Sequence, residues 1–479
     1  MADNNQKQVF YPWSLIILSG VCIFHPFCVQ YSFSSYLPQM VHEQGTNWDA
    51  VGYEVGSINA IYHVSSAVGD VVTGFLLMLV SLKNTLIVLY ALFGLSLVLL
   101  GLSTNLVLVK CTIAFVGFFR SIIVVAKVLM YKICNDENQK NIIVWTYIGP
   151  VFIAMSFSPS LSGLLAVPSA QYPSTFHNQI FKTFPALLVN LVLGVPAIII
   201  SVAVFYVLPP DPELQNYLRL HEDRYHHKME INDDDNRPLL SKSKDGSQMD
   251  GKGSFSDVIH IINKDILMNK PLLISIFLLS LYCGAIFSYQ NLWPLWLEHP
   301  KSHNGRGYEA WDVSLLLLIS GFLIVVINYT VLWRVHKIKS RTVFTVSVLV
   351  VIVFYSCLPC LLPIESNLLF MVCFVICHII LLAFFNLITA SLQVLLQNST
   401  TKRSVSIMFS LTQLLLALSS AIIIYLQTSV FARLTSDPEY SKPPFDYHFP
   451  FYLGALLIFI GYLPTVFVEG DFENKVNPL

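Results

Sequence analysis

Apolar stretches long enough to cross a bilayer recur twelve times along the chain, separated by polar connections. A spanning helix needs about 20 mostly apolar residues. A window of that size predicts spans at 12–37, 54–80, 85–104, 106–131, 142–166, 185–208, 271–297, 312–334, 343–363, 367–396, 404–428 and 450–468. The first reads as a span and not as a cleavable leader, because its apolar run is too long and no small-residue cleavage site follows. Within each group of six the connections are short. Between the sixth and seventh spans lies one long polar stretch containing Asp233-Asp234-Asp235 and a Ser/Lys/Gly-rich run from Ser241 to Gly253. Such a composition buries no core, so a disordered linker is expected there. The pattern predicts an all-α membrane protein with an N-terminal six-helix half over 1–208, a linker over 209–270 and a C-terminal six-helix half over 271–479.

Composition agrees. Of the 479 residues, 55% are hydrophobic and only 12% charged, against about a quarter charged in ordinary soluble domains. A soluble enzyme is excluded for want of a polar surface. The net charge of −1 leaves no basic excess for nucleic acid. All nine cysteines fall in or beside apolar stretches, as small buried hydrophobes do. Cys357-x-x-Cys360 has no basic neighbour to activate a thiolate, so redox chemistry is not expected.

The distribution of cations predicts orientation. With both termini cytosolic, that face carries 20 of the 28 Lys and Arg residues and the opposite face 5, leaving Lys110, Arg120 and Lys127 in the fourth span. The sequon Asn398-Ser399-Thr400 then lies on a cytosolic loop and stays unglycosylated.

Several motifs resemble the major facilitator superfamily, and within it the zinc-induced-facilitator-like branch of drug:proton antiporter-type carriers. They are Lys132-Ile133-Cys134-Asn135-Asp136-Glu137-Asn138-Gln139 after the fourth span, the run from Ser158-Pro159 to Val167-Pro168, Gln171-Tyr172-Pro173 and Phe184-Pro185. The resemblance implies a twelve-helix rocking fold with solute bound between the halves near the bilayer midplane. The chain departs from the family's 2–3 loop motif, Gly-x-x-x-Asp-Arg-x-Gly-Arg-Lys. Aligned on Gly74, it has Met78 for the acid, Leu79 for the Arg, Ser81 for the second Gly and Leu82 for the next Arg, with only Lys83 kept. The antiporter Arg of the fourth helix falls at Ile113, and Ser158 replaces the Gly before Pro159. The family's gate ion pairs therefore have no counterpart here.

Charges inside spans mark candidate sites, because each costs about 2.5–3.5 kcal/mol even on lenient scales unless paired or wet. Arg120 and Lys127 lie seven apart on one face of the fourth span. Both are candidate contacts for an anionic solute. Arg120 reads equally as a strut paired with Asp70, with the two groups expected within roughly 3 Å, and Lys127 reads as a cation reaching the cytosolic interface. Asp70, the acid deep in the second span, is the candidate proton carrier. His25, His63 and His378 also fall in spans, where a histidine is more often a packing residue than a titrating one. The seventh span clusters Tyr282, Tyr289, Gln290, Asn291 and Trp293 before Pro294, where a break is expected. Tyr289 and Gln290, with Gln30 and Tyr31 of the first span and Asn386 of the tenth, are the candidate cavity lining.

No catalytic constellation, cofactor motif or closed metal site occurs. His226-His227 sits in a solvated charge run and lacks four-ligand spacing. Asp235-Asn236-Arg237-Pro238-Leu239-Leu240 resembles an acidic dileucine sorting signal, with Asp235, Leu239 and Leu240 as the readable residues. It points to clathrin adaptors as partners and to an endolysosomal or vacuolar membrane, with the plasma membrane next. The expectation is a secondary transporter of a small anionic or zwitterionic organic solute, with protons as the candidate coupling ion. The rival is a non-transporting relative kept as a receptor or scaffold.

Overall fold

The computed structural model describes residues 12–133, 147, 149–176, 178–211, 214, 269–301, 305–335, 340–398, 405–436 and 446–468. The dileucine at Asp235, Leu239 and Leu240, the His226-His227 pair, almost all of the linker and the acidic stretch after the fourth span lie outside these residues.

Helices occupy all twelve predicted spans: α1 (Trp13–Glu43), α2 (Trp48–Leu79), α3 (Leu82–Gly101), α4 (Leu106–Ile133), α5 (Gly149–Leu165), α6 (Leu187–Val207), α7 (Lys270–Glu298), α8 (Ala310–Val335), α9 (Ser340–Cys357), α10 (Asn367–Asn398), α11 (Val405–Ser436) and α12 (Phe449–Tyr462). Among the described residues, nine are long and apolar enough to cross a membrane by themselves, and α5, α8 and α12 contain shorter apolar runs. Several outrun the apolar window. α2 begins at Trp48 because Asn47 is extended before it and Asp49 sits in its first turn, where a carboxylate favours the positive helix end.

Two helices depart from expectation. α7 runs without a break through Pro294 to Glu298. Every side chain from Tyr282 to Glu298 is buried, and surrounding helices hold the chain helical despite the missing proline N–H. α4, expected to be continuous, is instead interrupted by a turn at Arg120 and Ser121, separating Leu106–Phe119 from Ile122–Ile133. No proline lies there. Gly117 crosses against the backbone of Tyr62 in α2, and Ser121 accepts a hydrogen bond from Thr73 Oγ1 at 2.7 Å. A small residue and a hydroxyl of this kind are recognised causes of helix interruption.

The first six and the last six helices pack among themselves and against each other. α3 lies on α6, α1 on α4 and α5, and α2 on α4; α7 lies on α10, α11 and α12, and α9 on α10 and α12. The halves meet mainly along α2–α11 and α5–α8, with α1 against α7 between them. Adding six to the first-half helix of one main pair and subtracting six from its second-half helix yields the other pair, the relation expected of two repeats about an axis along the bundle. α2 and α11 are close near both ends. A Cβ on Gly52 would lie 2.8 Å from Ala432 Cβ and 3.1 Å from the Thr428 carbonyl oxygen, and one on Gly74 would collide with Ser410. Small residues permit this approach where lipid provides no hydrophobic drive between helices. Where the family's gate motif is lost, Asp211 beyond α6 accepts the Leu82 N–H at 3.0 Å and pairs with Lys132 at 3.5 Å. That contact ties helix ends within the first half only.

Candidate solute chamber

Two adjoining crevices lie where the halves meet. The first is a narrow gap bounded by Gln30, Tyr31 and Ser34 of α1, Asn59 and His63 of α2, and Phe287, Gln290 and Asn291 of α7. The second lies among Phe27 and Tyr31 of α1, Tyr147, Val151 and Met155 at α5, Cys283, Ile286 and Phe287 of α7, Asn386 and Thr389 of α10, and Leu416 of α11. Tyr31 and Phe287, 5.8 Å apart between ring centres, belong to both and form the partition. The two crevices differ in character: one is dominated by amides and the other by apolar and aromatic groups. Both are tight, with room for about one water in the second and less in the first. As the helices stand, neither crevice has room for an organic solute.

The intramembrane charges stand one layer behind these walls. Arg120 is 1% exposed. Its Nη2 donates to Gln30 Oε1 at 2.6 Å and its Nη1 to Ser66 Oγ at 3.0 Å, while the guanidinium lies 5.7 Å from the Phe27 ring centre and 5.8 Å from that of Tyr62. Ser66 Oγ donates in turn to Asp70 at 3.3 Å. The direct Arg120–Asp70 pair expected from the sequence is thus corrected to a bridged one, because α2 presents Ser66 a turn before Asp70, in the path of the guanidinium. Lys127 differs further from expectation. It is 0% exposed and does not reach an interface. Its Nζ, without a hydrogen-bond partner, sits 4.7 Å from the Tyr147 ring centre and 5.9 Å from that of Phe409, a cation held on aromatic faces. The turn at Arg120 and Ser121 separates the two α4 segments and directs Lys127 into the bundle.

The remaining candidates separate by location. Gln30 and Gln290 face the amide crevice and Asn386 the apolar one. Tyr289 bounds neither: its hydroxyl lies 2.6 Å from His378 Nδ1, deep in the second half. His25 is tied to the Leu193 carbonyl of α6 at 2.8 Å, in a packing role. His63 stacks on Phe287 across the junction at 5.8 Å. Ser34, Asn59, Phe287 and Tyr147 are crevice residues that sequence reasoning missed. For Ser34, Asn59 and Phe287 the only signal was a polar or aromatic residue about one helical turn from a residue already named, and Tyr147 carried none. Among the described residues no cluster of metal-ligating side chains occurs.

Comparison with known proteins agrees with this architecture. Residues 21–424 match the Major Facilitator Superfamily. Among curated relatives, the Arabidopsis thaliana protein ZINC INDUCED FACILITATOR-LIKE 1 is 26% identical over 265 residues, covering 54% of this chain and 51% of that protein. A probable peptide/nitrate transporter of the same plant is 27% identical over 267 residues, covering 54% and 50% respectively. The matches thus span about half the length of these relatives. Among solved structures, a D-xylose–proton symporter superposes with a TM-score of 0.63 at 11% identity, covering 98% of this chain and 99% of that one. The human organic anion transporter TETRAN superposes at 0.59 and 10% identity, covering 95% and 99%. A bacterial homologue of the human lysosomal transporter Spinster, inward-facing and unoccupied, gives 0.58 and 11%, covering 98% and 100%. At such identities the likeness is one of fold.

Proposed function

This chain belongs to the major facilitator superfamily, and from that premise we propose that it is a secondary transporter carrying a small organic anion or zwitterion by alternating access of its two halves. One observation carries the reading: a narrow crevice at the junction of the halves is lined by residues with buried polar atoms lacking partners, among them Gln30 Nε2, His63 Nδ1, Gln290 Nε2 and Asn291 Oδ1. Buried polar groups are normally satisfied, so atoms left open on a chamber wall are groups a solute can satisfy. Arg120 and Lys127 outnumber Asp70 in the layer behind the chamber walls, which makes that layer net positive and favours an anion.

Asp70 is the proposed proton carrier. Protonating it removes the negative charge that Arg120 shares through Ser66, and Arg120 bears directly on Gln30 in the chamber wall. Proton state and solute site are linked by that chain. Asp70→Asn should leave solute exchange intact and abolish accumulation driven by a pH gradient. The acidic dileucine at Asp235, Leu239 and Leu240 is proposed to bring clathrin adaptors and an endolysosomal or vacuolar destination. Replacing both leucines by alanine should send a tagged full-length protein to the plasma membrane.

Uptake into proteoliposomes under a pH gradient tests the function, with organic anions and amphipathic drugs as solutes. Saturable uptake of an organic anion or zwitterion is expected. No uptake of any solute by well-folded protein would favour a scaffold or receptor that keeps the fold without flux.

A further inference from the structure

Four carboxamides border the amide crevice, and each has one end committed to a partner that decides which end is left open. Arg120 has only N–H groups to give, so the Gln30 atom 2.6 Å from its Nη2 is the oxygen and the Gln30 NH2 remains for the crevice. The Trp293 indole likewise only donates. It meets Gln290 Oε1 at 3.5 Å, a long contact, and leaves the Gln290 NH2 open. The asparagines are held the other way round. Asn291 Nδ2 donates to the Phe287 carbonyl at 2.7 Å and Asn59 Nδ2 to the Val55 carbonyl at 3.0 Å, leaving their oxygens. Gln30 Nε2, Gln290 Nε2 and Asn291 Oδ1 are buried without any partner. The crevice therefore offers two donors, one from each half of the protein, beside a fixed acceptor, and the apolar crevice begins on the other side of Tyr31 and Phe287.

We propose that the solute is an amphipathic 2-hydroxy or 2-amino acid, its carboxylate held between the amide nitrogens of Gln30 and Gln290, its hydroxyl or amino group on Asn291 Oδ1, and its apolar body in the neighbouring crevice. This deepens the transporter reading and rests on it. A carboxylate accepts from two donors at once, so one head group bridges α1 and α7 and draws the halves together when they close. A donor on the adjacent carbon is what an asparagine oxygen requires. A sugar or polyol would satisfy the amides and leave the apolar crevice empty; a hydrocarbon would fill the crevice and leave the amides open. Arg120 and Trp293 are positioning residues in this scheme, acting through the two glutamines.

The test is binding to the purified full chain in nanodiscs, by competition against radiolabelled 3-phenyllactate. The panel is phenylalanine, 3-phenylpropionate (no donor), phenethylamine (no carboxylate) and lactate (no apolar body). Phenyllactate or phenylalanine should bind about tenfold or more tightly than each truncated probe, as loss of a buried charge-assisted hydrogen bond implies. Gln30→Glu keeps the acceptor for Arg120 and removes the NH2. It should lower phenyllactate affinity about tenfold or more with the melting temperature unchanged, while phenethylamine binding does not fall. Trp293→Phe releases Gln290 to flip and should narrow the preference for acid over amine without abolishing binding. Asn291→Leu should erase the preference for phenyllactate over phenylpropionate alone.

Equal binding of lactate or phenethylamine would overturn the assignment, as would an unchanged affinity in well-folded Gln30→Glu. The two readings fail separately. Uptake of some other solute with no binding of this panel sinks the head-group assignment only, whereas absence of uptake for every solute sinks the transporter.

Discussion

Arg120 and Asp70 do not touch: the hydroxyl of Ser66 stands between them, 3.0 Å from Nη1 of the arginine and 3.3 Å from the carboxylate. The cation and the anion are thus joined by a group that is easily deleted. Ser66→Ala leaves a buried guanidinium N–H and a buried carboxylate each short of a partner, which costs about 1–3 kcal/mol. The expected result is a melting temperature several degrees lower in nanodiscs and a weaker dependence of uptake on the pH gradient. An unchanged melting temperature and pH response would show that Ser66 does not join the pair.

Lys127 tests the charge of the chamber without disturbing its shape. The residue is fully buried and its ammonium meets only rings among the contacts described above. Replacing a buried charge by an apolar group of similar length is commonly neutral or stabilising. Lys127→Met should therefore match or exceed the parent in thermal stability while KM for an anionic solute rises. A variant that unfolds would instead indicate that the Tyr147 contact holds the α4 turn.

The α2–α11 contacts predict two opposite gating phenotypes. Gly74→Leu would force α2 from Ser410, whereas Gly52→Val would force it from Ala432 and Thr428 near the other end. Each should weaken closure at its own end. Cys283 is a native reporter, being buried and on the wall of the apolar crevice. Its alkylation by N-ethylmaleimide, read by peptide mass spectrometry, should be slow in the parent and markedly faster in Gly74→Leu. Equal protection in both proteins would mean that this contact does not seal the chamber.

Tyr289 and Gln290 are neighbours with different expected roles. Tyr289→Phe removes the hydroxyl partner of His378, a loss of about 0.5–1.5 kcal/mol. It should lower the melting temperature slightly and leave KM unaltered. Gln290→Glu replaces a chamber donor by an acceptor and should raise KM for an anion. Uptake kinetics of the two variants side by side decide whether the tyrosine is structural.

How much of this was legible beforehand depends on the range of the interaction. Span number and length were readable because the bilayer imposes one apolar length on every crossing helix, and that demand is written locally in runs such as Leu187–Val207. The same locality marked Gln30, Arg120, Asp70 and Gln290 as polar residues that an apolar span does not tolerate without cause. Their partners were not readable. Arg120 meets Gln30 across 90 positions and Ser66 across 54, distances at which sequence carries no period or spacing. Lys127 looked able to reach an interface because nothing local announced the α4 turn. Pro294 looked like a break because the buried environment that keeps α7 helical comes from other helices. Which amide end faces the chamber was likewise decided only by the fold, since a carboxamide is nearly symmetric in shape until a guanidinium, an indole or a carbonyl commits one of its ends.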